Sequence, residues 1–200
     1  MNGVGDSRVI YESRNILKSC VQQWFGSDFQ RLHPALQLLH TNGGTLQGEV
    51  TVQYGSGIAG YFGRRLSKKL GIPVGSPVVP LKVTIAHHPD YLLWSRKFGD
   101  ANQMESSFIP LGHYPDGHWL EETSGVKVTL GVEIVDGGWK WHQRKARVMG
   151  ISIPRWLVPK VAAGKSIVSG KYQFDVSIHH PWLGFLLSYH GLLDVVPVDT

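Results

Sequence analysis

The clearest pattern in the chain is an alternation of period two. Val126, Val128, Leu130, Val132 and Ile134 are separated by Lys127, Thr129, Gly131 and Glu133, as a strand with one buried face requires. Asp136-Gly137-Gly138 then reverses the chain into Trp139–Met149, which predicts an antiparallel hairpin. The same alternation runs through Leu46–Tyr54, with Val50, Val52 and Tyr54 on one face, and through Leu81–Ile85. Further strands are expected at Tyr91–Phe98, Gln103–Leu111, His118–Glu122, Ser166–Val168, Tyr172–Ile178 and Leu183–Leu192. Helical spacing is confined to the first third. Ile16, Leu17, Cys20, Val21 and Trp24 predict a helix over Glu12–Trp24 that Gly26 ends. Pro34 suits the first turn of a short helix, which stops at Asn42-Gly43-Gly44. In Ser56–Leu70 the residues Ile58, Phe62, Leu66 and Leu70 share one helical stripe with the cations mostly off it, a basic amphipathic helix that Gly71 and Pro73 close.

Helices first and a long meander afterwards predict an α+β fold. An antiparallel sheet of about eight or nine strands cannot lie flat, so strong curvature into a partial β-barrel is expected, with two or three helices on one side. The 200 residues suit a single domain, 1–200, with 1–10 as a flexible N-terminus. The 24 glycines and 11 prolines fit the many turns such a meander needs. Cys20 is the single cysteine, so no intrachain disulfide forms. Met1–Arg8 lacks the apolar core of a signal peptide. The longest apolar run, Trp182–Val196, is broken by Ser188, His190 and Asp194. A cytoplasmic location, with peripheral contact to a membrane as a variant, is the expectation.

Charge is unevenly placed. Eight of the 20 Lys and Arg lie between Asp136 and Asp175 with no acid among them, and outside that stretch acids outnumber bases, 15 to 12. A second acid-free span, Val50–Pro89, carries Arg64, Arg65, Lys68 and Lys69 on the predicted helix. Cations without partners favour anionic ligands, lipid head groups or acidic proteins, although neighbours in space can equally restore the balance.

Alternation on the strand Trp94-Ser95-Arg96-Lys97-Phe98 puts Trp94, Arg96 and Phe98 on one face. If that face is the inner one, Arg96 needs a carboxylate or a bound anion. Glu121 and Glu122 point to opposite faces of their strand, so one of them could reach it. An internal ion pair and an anion anchor both satisfy this pattern. His87-His88-Pro89 and His179-His180-Pro181 each place their histidines on opposite faces, so a metal would need one from each pair; no metal-ligand motif and no cofactor is implied. Gly55-Ser56-Gly57 lacks the residues of a phosphate loop. The loop Ile153–Lys160 sets Trp156 and Leu157 between Arg155 and Lys160, with two prolines that discourage ladder pairing. Its apolar residues suit covering the protein's own core, lidding a cavity, docking a partner or entering a bilayer interface. Trp139 and Trp141 alternate with cations, yet they share a face and no nucleic-acid module is recognisable.

Several short motifs in order resemble a bacterial family, domain-of-unknown-function family 4166. They are Arg31-Leu32-His33-Pro34 with Leu39-His40, the Gly55–Pro73 segment, Trp94-x-Arg96-x-Phe98-Gly99, Gly150-Ile151-Ser152-Ile153-Pro154, Tyr172-x-Phe174-Asp175-Val176 and Tyr189-x-Gly191. The resemblance spans Phe29–Leu193 and implies neither an activity nor catalytic residues. Its members occur alone or fused to dehydrogenase-like domains, which implies a dehydrogenase-like partner. The His-containing stretch Leu111–His118 departs from the pattern. Three readings stay open. One is a non-catalytic binding domain whose pocket, at Trp94, Arg96, Phe98 and Glu121, takes a small amphipathic ligand. Another is a pocket enzyme using Arg96 with a carboxylate or histidine. The third is a module for an anionic membrane surface using Arg64, Arg65, Lys68, Lys69, Arg155, Trp156, Leu157 and Lys160.

Overall fold

The computed structural model describes residues 18–101, 103–123, 125–148, 150–154 and 156–196. The expected flexible start 1–10 and the first part of the predicted first helix, 12–17, lie outside these residues. Helix α1 (Cys20–Phe25) is capped by Ser19, whose side chain accepts from Gln22 N while the Gln22 side chain accepts from Ser19 N. A 3-10 turn, Gly26–Arg31, leads to α2 (Pro34–Asn42), which begins with its proline as expected. Then come β1 (Gly44–Tyr54), α3 (Gly57–Lys69), β2 (Val78–His87), β3 (Leu92–Phe98), β4 (Met104–Leu111), β5 (His118–Thr123), β6 (Val126–Val135), β7 (Gly138–Val148), β8 (Ile151–Ser152), β9 (Lys160–Val168), β10 (Lys171–His180) and β11 (Gly184–Val196).

The strands run antiparallel around a ring, β1-β2-β3-β4-β5-β6-β7-β9-β10-β11, and β11 returns to β1. Ten strands therefore close a barrel, and β8 is a two-residue addition to the end of β7. The expected partial barrel of about eight or nine strands is corrected. Every segment with strand patterning becomes a strand, and β7 pairs on both sides, with β6 along its length and with β9 through Trp139, Lys140 and Trp141, which closes the ring. β9 also starts at Lys160, well before its expected beginning at Ser166.

Antiparallel pairing gives the barrel two distinct rims. One gathers the start of β1, the ends of β2, β4 and β6 and the start of β7. Here α1 and α2 form a plug: Trp24 packs on Trp119 at 5.4 Å, Phe25 on Trp139 at 5.2 Å and His40 on Trp139 at 4.8 Å. His33 N donates to Gly137 O at 2.7 Å, tying the plug to the β6–β7 turn. The expectation of helices on one side is thus corrected for these two: they cross an end, because a closed barrel offers a mouth to cover rather than a free inner face.

Helix α3 packs against β1 and β11, starting from the opposite, open rim. Its apolar stripe is split between core and solvent. Ile58 and Phe62 are exposed, Leu66 and Leu70 are half-buried against the core, and the buried face is Gly60, Gly63 and Ser67. A Cβ on Gly63 would come within 2.1 Å of Leu186 O, so the helix lies against strand backbone at a distance only glycine permits. Ser67 Oγ, meanwhile, hydrogen-bonds the Tyr54 hydroxyl at 2.7 Å. Among the described residues no helix is long and apolar enough to cross a membrane.

Candidate functional site

Alternation along β3 sends Trp94, Arg96 and Phe98 into the barrel. β3 and β9 are five steps apart in either direction around the ring, hence on opposite walls. Even so, Lys165 Nζ from β9 lies 4.0 Å from the Trp94 ring centre, and 4.2 and 5.4 Å from those of Trp139 and Trp141 on β7. Side chains therefore bridge the full width of the barrel at this level, and its waist is filled.

Lys165 is boxed by indole faces, each of which attracts a cation. Burial works against charge and holds its pKa well below the usual lysine range, with Glu121 pulling the other way. His40 enters from the plug. Burial first, then Lys165 and His87, hold its imidazole neutral. The Lys165 amine and His40 Nε2 lie 3.4 Å apart, within hydrogen-bond reach of each other. Burial likewise pushes the Tyr172 hydroxyl well up and the Cys20 thiol up to about 11.

Nearer the open rim a polar chain lines the inner wall. Arg96 donates to the Ser106 hydroxyl, Ser106 and Thr123 share a hydrogen bond, and Thr123 donates to Glu121 Oε1 at 3.4 Å. Arg96 Nη2 stands 3.9 Å from Glu121 Oε1, with the Arg96 side chain only 11% exposed. Glu122 turns outward instead and pairs with Lys127 at 2.9 Å. The four expected ligand residues are thus brought together inside the barrel. Trp94 and Phe98 are packing, while Arg96 and Glu121 form an internal charged pair. Tyr189 faces the same guanidinium; burial raises its pKa and Arg96 partly offsets the rise.

A cleft of about 420 Å³ opens elsewhere, between β7 and β9. These strands pair only through Trp139, Lys140 and Trp141, after which β7 departs to pair with β8. The register of β6 and β7 shifts at Thr129/Leu130, a bulge that adds twist where the strands part. Across the gap Gln143 Oε1 accepts from Val161 N at 3.2 Å, a side chain standing in for a lost ladder bond. The cleft is walled by Trp141, Ala146, Ile153, Val158 and Val161, and Arg144, Lys145 and Lys160 also line it. A second concavity, about 480 Å³, includes the polar side chains of Lys140, Ser166, Gln173 and Asp175.

None of Trp94, Arg96, Phe98 and Glu121 lines the first cleft. Of the expected contact residues, Lys160 does, while Arg64, Arg65, Lys68 and Lys69 are exposed on α3. Arg155 lies outside the described residues. Trp156 and Leu157 are exposed, so the reading of their loop as a cover for the core is corrected; Ile153 and Val158 line the cleft and Trp156 stacks on Trp182 at 5.3 Å. His87 ends β2 at the plugged rim and His179 lies toward the open end of β10, so one histidine from each pair cannot share an ion. Sequence reading missed Lys165, His40 and the cleft. For Lys165 the signal is the shared parity of Ala163, Lys165 and Ile167.

A family model for Domain of unknown function (DUF4166) matches residues 32–193. No curated protein matches the chain. The matched span includes α2, α3, all of β1 through β10 and most of β11, and the chain belongs to the DUF4166 family.

Proposed function

We propose that this chain is a non-catalytic binding barrel for a small amphipathic anion seated in the cleft between β7 and β9. The observation that carries this reading is the parting of β7 from β9 around an apolar-walled space of about 420 Å³, within the usual range for small-molecule sites. An alkyl body packs on Trp141, Ala146, Ile153, Val158 and Val161, and its acidic head meets Arg144, Lys145 or Lys160. The acid-free sequence from Gly137 to Phe174 leaves those cations without a carboxylate of their own segment. Reaction chemistry has less support. Arg96 is engaged by Ser106 and Glu121, and the buried amine of Lys165 is enclosed by three indoles.

Isothermal titration with dodecanoate, dodecyl phosphate and dodecanol tests it. Both anions should bind once per chain, and dodecanol roughly tenfold more weakly. Val161→Trp, a change at the half-exposed lip of the cleft, should remove binding while leaving the thermal melt in place. Absence of saturable anion binding, or unchanged affinity in Val161→Trp, overturns the reading.

A further inference from the structure

We propose that the open rim of the barrel is a docking surface for an anionic lipid bilayer. Its apolar side chains and the cations of α3 lie outside the cleft, and only Lys145 and Lys160 border both, so it does not depend on the ligand reading. Three separate elements carry large apolar side chains into solvent at this rim. Ile58 is 68% exposed on α3, Ile151 69% on β8 and Trp182 73% in the β10–β11 turn. Trp156 stacks on Trp182 with planes 17° apart, so two indoles from different loops form one exposed slab. The stacked indole pair is a contiguous apolar surface outside the core, of the kind that marks a contact surface.

The orientation of α3 supplies the second argument. With Gly60, Gly63 and Ser67 against β11 and β1, helical geometry turns Ile58, Phe62, Arg65 and Lys69 to the opposite face. Tyr61 borders that face, and Arg65 lies over its ring at 5.9 Å. Apolar residues in the first half and cations in the second, all away from the barrel, make an interfacial helix. The core has no use for this face.

Charge selects the occupant. Arg64, Arg65, Lys68, Lys69, Lys145, Arg147 and Lys160 are exposed around these side chains. Acids toward this end include Asp100, Glu105, Glu122, Glu49 and the inward Glu121; Glu121 stands 3.9 Å from Arg96, Glu122 is held by Lys127 and Glu105 accepts from Ser95 and Gln103. A second copy presenting the same cations would be repelled. An acidic bilayer satisfies both halves of the surface: phosphates and carboxylates meet the cations, and the indoles, isoleucines and Phe62 sit at the head-group boundary.

Flotation of the full chain with vesicles of phosphatidylcholine alone, or mixed with phosphatidylserine, tests this. Wild type should float with the mixed vesicles, lose binding as salt rises, and stay behind with phosphatidylcholine. Trp156→Ala/Trp182→Ala should cut partitioning roughly tenfold, and Arg65→Glu/Lys69→Glu should remove the preference for phosphatidylserine. These side chains are exposed, and an unchanged thermal melt confirms folding. Val161→Trp, which blocks the cleft, should float like wild type, so failure of the ligand reading leaves this one intact. No flotation on mixed vesicles, equal flotation after the tryptophan changes, or a stable dimer that buries Trp182 overturns it.

Discussion

The two ends of this barrel are built on opposite principles. At the plugged rim Trp24, Phe25, Leu36 and Leu39 are buried by α1 and α2, and nearby charges are matched, Arg31 with Asp28 at 2.7 Å and Lys171 with Asp194 at 2.9 Å. At the open rim Ile58, Ile151 and Trp182 face solvent among cations with few acids. A closed barrel satisfies most of its ladder hydrogen bonds, the parting of β7 from β9 apart, so its two ends carry the main difference. One end has been completed by the chain itself. The other leaves large apolar side chains and cations in solvent.

The sharpest way to break the comparison is to truncate one indole at each end. Trp139→Ala removes a ring that packs on Phe25 and His40 and should cost about 3–5 kcal/mol in denaturant unfolding. Trp182→Ala should stay within about 0.5 kcal/mol. Equal losses would mean that the open rim is structural too.

Acid should act next, and from the plugged end. His40 is held well below its ordinary pKa of 6.5 by burial, so below that pH the unfolded chain binds a proton that the folded one refuses. Stability then falls as pH drops, by up to about 1.4 kcal/mol per unit for one such group. His87, also depressed by burial, adds in the same direction. Unfolding of His40→Gln should show a shallower loss than wild type over about pH 6.5 to 5. An identical slope would place the acid sensitivity elsewhere. Least of all should follow from Arg31→Ala, which removes an exposed ion pair worth less than about 1 kcal/mol; a larger loss would give that pair a part in holding the plug.

Much of the architecture is legible because half-buried strands must alternate. The β6–β7 hairpin, the shared face of Trp94, Arg96 and Phe98, and the opposite faces of Glu121 and Glu122 follow from parity alone, while the inward direction and the choice of Glu121 came from closure of the barrel. The seating of α3 is not legible because glycines can bury a face that carries no hydrophobic signal, which leaves Ile58 and Phe62 outside while Leu66 and Leu70 stay against the core. β9 is cut short in the reading because Val161-Ala162-Ala163-Gly164-Lys165 is poor in strand formers and holds a charge. Its pairing to β10 along its length makes it a strand regardless.

What the amino-acid order determined by itself is local: where strands begin, which residues share a face, where turns fall and where positive charge concentrates. Each of these depends on neighbours within a few positions. Closure through β7, the meeting of Lys165 with indoles from two other strands, the cleft beside Val161 and the outward turn of Ile58 were decided only in three dimensions. They depend on which distant surfaces come within van der Waals reach, and period-two and period-3.6 patterns carry no such information.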